Sequence, residues 1–207
     1  MTETRAAVAH LRAADPVMAR LVDEHGEIEL VPAHRQGHDH YTTLLRSIVG
    51  QQLSVKAAST IYGRVLDVFG GQPPAPDQIL AADPEALRAA GLSRAKVAYL
   101  RSLAEHVLDG SLELERFTEM DEDDVMAELV AIKGVGEWTA HMFLMFQLAR
   151  PDVLPVGDLG IRRAVERAYA LEQLPGPAEL ERIAEPWRPW RTLACRYLWE
   201  SLDNAPV

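Results

Sequence analysis

The stretch Leu129-Val-Ala-Ile-Lys-Gly-Val-Gly-Glu-Trp-Thr-Ala-His-Met-Phe143 decides how this chain folds. One apolar helical pattern ends near Ile132, the segment Gly134-Val135-Gly136 interrupts it, and a second apolar pattern starts at about Trp138. Two glycines around one apolar residue allow the backbone to turn sharply, while the valine fills the gap between the helices. The stretch therefore predicts two helices joined by a short hairpin.

The hairpin also offers a place for a phosphate group. The amides of Gly136 and its neighbours carry little side-chain cover, and they lie at the start of a helix, which attracts anions. Because such a helix-hairpin-helix contact needs no basic side chain, the net charge of −10 does not exclude a nucleic acid partner. A Gly-x-Gly turn taken alone is more often a pair of helix caps than a DNA-binding site. The other segments of the sequence are therefore needed to choose between these two interpretations.

Nearly every other segment has a helical pattern. Apolar residues recur at spacings of three and four, and glycines follow the helix ends. Ser54, Asp83, and Ser93 or its neighbour are suited to cap helix starts. Further helices are predicted over residues 121–131, 138–149, 159–170, 177–184 and 187–202. Only His25–Pro32 has the pattern of a strand or an extended arm. The sequence predicts an all-α protein of about ten short helices.

Composition excludes several classes of protein. The chain has 48% hydrophobic and 25% charged residues, as a soluble globular protein does, and it lacks an apolar run long enough for a membrane span. Its first twenty residues lack the apolar core of a secretory signal. One cysteine, Cys195, cannot form an internal disulfide, so we expect a cytoplasmic protein. His34, His38 and His40 have no second group of ligands beside them, and no metal site is predicted there.

Asp158 is the most suggestive acidic residue. It lies twenty residues after Trp138, in the segment Gly157-Asp-Leu-Gly160 that immediately precedes an apolar helix. The simplest interpretation is an N-cap. A cap and a catalytic carboxylate are nevertheless compatible, because helix amides stabilise the ionised form and the flanking glycines leave room for a substrate.

The hairpin, the twenty-residue interval and the Gly-Asp-Leu-Gly segment together resemble the helix-hairpin-helix DNA glycosylase superfamily, in particular its DNA-3-methyladenine glycosylase II branch. Two further stretches match. The stretch Ser47-Ile-Val-Gly-Gln-Gln-Leu-Ser54 is similar to the strand-separating loop of that family, and its part after Gly50 is called the wedge loop below. The other is Trp187-Arg-Pro-Trp-Arg191, which is followed by Tyr197-Leu-Trp199. The resemblance covers roughly residues 35 to 203.

The resemblance implies a fold and an activity. The fold is a single all-α glycosylase unit of two helical lobes, one over about 40–150 with the wedge loop and the hairpin, and one formed by 1–39 with 151–207 around an active-site cleft. The activity is to flip alkylated bases such as 3-methyladenine and 7-methylguanine out of duplex DNA and to hydrolyse the N-glycosidic bond. Two alternatives remain open: a non-catalytic helix-hairpin-helix DNA-binding module, and a glycosylase for oxidised or deaminated bases.

The resemblance also implies roles for single residues. Asp158 matches the catalytic aspartate, and Gln52, together with Leu53, matches the wedge that fills the hole left by the flipped base. The residues expected to line the base pocket are Trp138, Met142 and Trp199, although many family members have an aromatic residue in place of Met142. The residues expected to contact DNA at the hairpin are Gly134, Val135, Gly136 and Thr139. For any single tryptophan, burial in the core is the simpler interpretation.

The same resemblance bears on cofactors and partners. Bifunctional relatives have a Schiff-base lysine where this chain has Trp138, and Lys133 does not occupy that position, so lyase activity is not expected. Iron–sulfur relatives need four cysteines, and this chain has one, so no iron–sulfur cluster is expected. We expect no cofactor and no tightly bound metal. The expected partner is double-stranded DNA that contains alkylated bases. The protein is expected to act as a monomer and, in a prokaryote, to associate with the nucleoid. A monovalent cation on the backbone carbonyls of Val130, Lys133 and Val135 is compatible with the family pattern. Arg162 and Arg163 are either phosphate contacts or part of a solvated helix face.

Overall fold

A computed structural model describes residues 3–29 and 39–202 of the 207-residue chain. The described residues form helices and connecting loops without any strand, which confirms the all-α prediction. The segment predicted as a strand or arm follows a helix that ends at His25; its residues 26–29 are irregular, and 30–32 lie outside the described part. Among the described residues, no helix has the length and apolar character needed to cross a bilayer.

The described residues divide into two compact units. The central unit comprises 39–143, and the terminal unit comprises 3–29 together with 144–202. The active-site cleft expected from the resemblance stays a prediction.

The central unit consists of short helices that follow one another closely. Its α-helices are α3 His40–Gly50, α4 Val55–Val68, α5 Pro76–Ala81, α6 Pro84–Ala89, α7 Arg94–Leu108, α8 Glu122–Ala131 and α9 Glu137–Met142. Local capping explains several starts, because Ser54, Asp83 and Ser93 accept hydrogen bonds from the amides of Ala57, Glu85 and Lys96. These three predicted caps are confirmed. The core is formed by apolar side chains of α3, α5, α6, α7 and α8, including Leu44, Leu45, Ile48, Ile79, Leu87, Leu100, Leu103, Val125 and Leu129.

The terminal unit combines the two ends of the described chain. Its α-helices are α1 Glu3–Ala14, α2 Pro16–His25, α10 Leu159–Ala168, α11 Pro177–Ala184 and α12 Arg191–Glu200. Asp15 caps α2 by accepting from the amide of Val17 over 2.7 Å, and its second oxygen accepts from the Tyr169 hydroxyl and, over 3.0 Å, from the Trp187 indole. A buried N-cap therefore ties α2 to the residues that follow α10 and α11.

Two predicted helices end or begin elsewhere in the structure. The helix predicted over 138–149 is α9 followed by a π-helical turn, Phe143–Gln147, and Ala149 has a positive φ of 52°. The helix predicted over 187–202 begins only at Arg191. Its first predicted residue, Trp187, ends a 3₁₀ turn, and Pro189 lacks the N–H that a helix interior needs. A nearly continuous apolar pattern concealed the first break, whereas Pro189 was a visible signal for the second.

Candidate active site

Asp158 is the N-cap residue of α10, as its sequence setting predicts. Its Oδ1 accepts a hydrogen bond from the amide of Ile161 over 2.7 Å. The side chain is only 8% exposed, so a carboxylate is buried at the start of a helix. Amides in the first turn stabilise a negative charge there. The cap interpretation is confirmed, and it fixes where the carboxylate lies.

Trp199 provides a second donor to the same oxygen. Its indole Nε1 donates to Asp158 Oδ1 over 3.1 Å, from α12 at a sequence separation of 41 residues. The ring is 3% exposed and lies beside Phe146, with ring centroids 6.0 Å apart. The structure therefore joins two of the predicted site residues, Asp158 and Trp199, through a buried hydrogen bond.

Gly160 leaves the space in which this pair meets. A Cβ at this position would lie 3.0 Å from Asp158 Oδ1 and 3.2 Å from the Trp199 indole nitrogen, closer than ordinary contacts allow. Any larger residue would press on both partners. The sequence showed that a glycine stands here, but it could not show which side chains need the space.

The loop that leads to Asp158 is held by α12. The Thr192 hydroxyl donates to the carbonyl of Arg150 over 2.7 Å and accepts from the amide of Val153 over 3.0 Å. The Arg191 guanidinium donates to Asp152, with Nε 2.8 Å from Oδ1. These bonds fix the backbone a few residues before the catalytic candidate.

Cys195 lies one helical turn before Trp199 on α12 and is fully buried. Burial raises the pKa of its thiol well above the ordinary value, and the nearby charge of Asp158 raises it further. The thiol is therefore neutral, which favours a packing role for Cys195 over a nucleophilic one.

The hairpin between α8 and α9 forms as the sequence predicts. Gly134 has a φ of 87°, Val135 donates its amide to the carbonyl of Ile132 over 3.0 Å, and its side chain is 3% exposed. Gly136 is the N-cap of α9, and apart from its neighbours in the chain no described residue has an atom within 4 Å of where its Cβ would be. Val135 therefore fills the gap between the two helices, as predicted, and Gly136 leaves the first amides of α9 without side-chain cover.

The short helix α9 contains two residues predicted for the base pocket, Trp138 and Met142, and one predicted to contact DNA, Thr139. Trp138 is 48% exposed, and Met142, four residues later on the same side of the helix, is half-buried. Thr139 is buried instead, at 7% exposed. The exposed indole is the large aromatic surface that the central unit offers beside its hairpin.

The wedge loop follows α3. Gln52 has a φ of 59°, which is unusual for a residue other than glycine, and its side chain is exposed. Leu53, also exposed, donates its amide to the carbonyl of Gly50 over 3.1 Å and closes the turn. A strained backbone that presents an exposed side chain is the arrangement expected of a residue that acts on a partner.

Two other predictions concern cations and phosphates. Val130 belongs to the last turn of α8, where carbonyls lack intrahelical partners, so a monovalent cation with ligands from this turn fits the donor chemistry and stays a prediction. Within 3–29 and 39–202, no group of His, Cys, Asp and Glu could hold a metal ion; His34 and His38 lie outside these residues. Arg162 donates its Nε to the carbonyl of Pro175, whereas Arg163 is exposed.

The predicted site residues fall into two sets. Asp158 and Trp199 are in the terminal unit, and the wedge, the hairpin and α9 are in the central unit. Two further residues, Gln51 and Lys96 beside the wedge, escaped sequence reasoning. Gly160 was expected to leave room for a substrate, and in the structure it leaves room for the contact between Asp158 and Trp199. Gln51 directly precedes Gln52 in the matched loop, which was a usable signal, whereas nothing local marks Lys96.

Comparison with known proteins relates this chain to DNA glycosylases by sequence and by structure. The family model of HhH-GPD superfamily base excision DNA repair proteins matches residues 45–189. A DNA-3-methyladenine glycosylase from Schizosaccharomyces pombe is 33% identical over an alignment of 208 positions that covers 97% of this chain and 89% of that protein. The crystal structure of a DNA-3-methyladenine glycosidase from Bacillus halodurans matches with a TM-score of 0.85 at 39% identity, over 94% of this chain and 88% of that one. A structure of the S. pombe 3-methyladenine DNA glycosylase in complex with abasic DNA matches with a TM-score of 0.83 at 33% identity, over 97% and 98% of the two chains.

Proposed function

The chain belongs to the HhH-GPD superfamily of base excision DNA repair proteins, and we propose that it is a monofunctional DNA glycosylase that removes alkylated bases from double-stranded DNA. The observation that carries this proposal is the buried carboxylate of Asp158, held on one oxygen by the indole of Trp199 and the amide of Ile161. The named activities of the relatives in S. pombe and B. halodurans support the choice of alkylated bases.

A base inside a duplex has to be extruded before a protein group can reach its glycosidic bond, at a cost of a few kcal/mol. In the proposed enzyme, Gln52 and Leu53 fill the place of the flipped base, and the hairpin amides around Gly136 bind a phosphate of the DNA. Both segments are exposed on the central unit. The DNA complex of the S. pombe relative supports DNA as the partner.

Alkylation at N3 of adenine or N7 of guanine gives the base a positive charge. A cationic base stacks favourably on an electron-rich indole, and Trp138 offers an exposed one. Such a base also leaves readily, without prior protonation. The protein therefore has little to supply for the departure of the base itself.

The remaining need is a negative charge beside the sugar, where an oxocarbenium-like cation develops as the bond breaks. Asp158 supplies it. For charges about 5 Å apart at an effective dielectric near 20, the attraction is roughly 3 kcal/mol, or about a hundredfold in rate. The base leaves as a neutral molecule with the electron pair of the glycosidic bond. Water then adds to the cationic sugar and passes a proton to Asp158 or to solvent, which gives an abasic site. This mechanism needs neither a lysine nucleophile nor a cofactor, and the proposal includes a monomer that acts on nucleoid DNA.

A base-release assay tests the proposal. Duplex DNA treated with a methylating agent is incubated with the protein, and the released bases are identified by mass spectrometry. The expected products are 3-methyladenine and 7-methylguanine. Release of only oxidised or deaminated bases would assign the enzyme to other lesions, and DNA binding without release of any base would make the protein a non-catalytic module.

A further inference from the structure

The wedge loop and the hairpin both rest on α7, a helix that contains none of the predicted site residues. Lys96, Tyr99 and Ser102 recur at intervals of three along α7 and share one side of the helix. Each of them contacts one of the two loops. This arrangement lies wholly within the central unit.

Lys96 acts on the wedge loop. Its ammonium donates to the carbonyl of Val49 over 2.7 Å and to the carbonyl of Gln51 over 2.8 Å. The last turn of α3 contains no basic residue of its own, so Lys96 supplies the positive charge that a helix C-terminus favours. The two bonded carbonyls flank the point at which the chain turns out of α3, immediately before the left-handed Gln52.

Tyr99 and Ser102 act on the hairpin. The Tyr99 ring lies so close to Gly134 that a Cβ there would overlap it. The Ser102 hydroxyl accepts a hydrogen bond from the amide of Lys133 over 3.1 Å. Both residues therefore fix the backbone just before the uncovered amide of Gly136.

Gln51 joins the two loops directly. Its side-chain amide donates to the carbonyl of Gly134 over 2.8 Å, across 83 residues of sequence. The residue before the wedge is thus bonded through its side chain to the hairpin and through its carbonyl to Lys96. A strained conformation such as that of Gln52 persists only where its surroundings hold it.

We propose that Lys96 is a positioning residue for base flipping: with Gln51, it holds the strained wedge in register with the phosphate-binding hairpin, so that both meet the DNA as one preassembled surface. This inference rests on the proposed function, which assigns Gln52 to the wedge. The carbonyls that Lys96 contacts are those of Val49 and Gln51, next to the wedge residue Gln52, whereas Asp158 belongs to the other unit. The proposed effect of Lys96 is therefore on extrusion of the base and not on cleavage of the glycosidic bond.

The test compares lesions that differ in how much extrusion they need. One duplex carries 7-methylguanine paired with cytosine, and the other carries the same lesion in a single-nucleotide bulge without an opposing base. Lys96→Met removes both hydrogen bonds while keeping the length of the side chain. Arg94→Met, at an exposed position on the same helix, removes an equal charge and serves as the control.

Under single-turnover conditions, Lys96→Met should excise the paired lesion about tenfold more slowly than the wild type, the scale of a lost charged hydrogen bond. The bulged lesion should lose only a few-fold, and Arg94→Met should change neither rate appreciably. Equal losses on both substrates, or no loss on the paired one, would overturn the inference. Failure of the wild type to excise either lesion would instead count against the proposed function.

Gln51→Ala keeps the test decisive if Lys96→Met does not fold. This variant removes the bond to Gly134 but leaves α3 and its contact with Lys96 in place. It should show the same preference for the bulged lesion over the paired one. A uniform change in both rates would again contradict the inference.

Discussion

The indole nitrogen of Trp199 lies 3.1 Å from Asp158 Oδ1 and donates a hydrogen bond to it. The same oxygen accepts from the amide of Ile161, so two donors from different helices converge on one atom of the carboxylate. A carboxylate held in this way keeps a fixed orientation, which electrostatic catalysis requires. The buried Trp199 thus has a defined partner, and stacking on the base stays a separate prediction for it.

Trp199→Phe should separate the hydrogen bond from the packing of the ring. Phenylalanine keeps an aromatic ring beside Phe146 but cannot donate to Asp158. We expect an excision rate about tenfold below that of the wild type, for the loss of one charged hydrogen bond, with unfolding changed much less than in Trp199→Ala. The alanine variant should lose about 3 to 5 kcal/mol of stability, as buried aromatic truncations do. Urea unfolding measures the stability of the two variants, and single-turnover assays below their melting points measure their excision rates. Normal excision by a folded Trp199→Phe protein would show that the hydrogen bond has no catalytic role.

Gly160→Ala should impair excision through crowding. The added methyl group would lie 3.0 Å from Asp158 Oδ1 and 3.2 Å from the indole of Trp199, so one of the two has to move. We expect excision to fall by about tenfold, since misplacement of a catalytic group by a fraction of an ångström is costly, while affinity for abasic-site DNA is kept. Gly176→Ala is the matched control, because nothing lies within 4 Å of its Cβ position. The idea fails if the two variants excise equally well.

The start and end of most helices could be predicted because their determinants are local. Ser54 and Ser93 cap helices through amides only three residues away, and Asp158 does the same for α10. Glycines with positive φ, such as Gly110, stand where a helix was expected to stop. Helices α1 and α2 were not predicted, although the Asp15-Pro16 pair that begins α2 has the same form as Asp83-Pro84.

The contacts that assemble the candidate site could not be predicted in the same way. The bond from Trp199 to Asp158 spans 41 residues, and that from Gln51 to Gly134 spans 83. Such pairs depend on how helices pack, which no local pattern records. The family resemblance pointed to Asp158 and Trp199 singly, whereas Lys96 has no sequence signal because its partners are backbone carbonyls.

Thr192→Val should destabilise the loop that leads to Asp158. Valine has nearly the shape of threonine but lacks the hydroxyl that donates to the half-buried carbonyl of Arg150 and accepts from the buried amide of Val153. The expected cost is about 1 to 3 kcal/mol, for the amide of Val153 that is left buried without this bond. Denaturant unfolding measures it, with Thr192→Ser as the control that keeps the hydroxyl. Equal stability of the valine and serine variants would show that these bonds do not hold the loop.

The chain should not form a Schiff base with DNA. Lys133 follows α8 before the hairpin, with its amide bonded to Ser102, and the family resemblance implies that Trp138 takes the position of the Schiff-base lysine. Borohydride added during turnover should therefore trap no covalent complex, and the product strand should remain intact at its abasic site until treated with alkali. Gel electrophoresis detects both. A trapped adduct that maps to Lys133 would contradict the monofunctional mechanism.

The most direct measurement is single-turnover excision of 7-methylguanine by Asp158→Asn, made alongside binding to abasic-site DNA. Asparagine can still accept from the amide of Ile161 and cap α10, so the fold and the binding should be kept while the negative charge is lost. We predict that excision falls by at least about a hundredfold, the rate that the charge is expected to supply. Excision within a few-fold of the wild type by a folded, DNA-binding variant would show that Asp158 is only a cap.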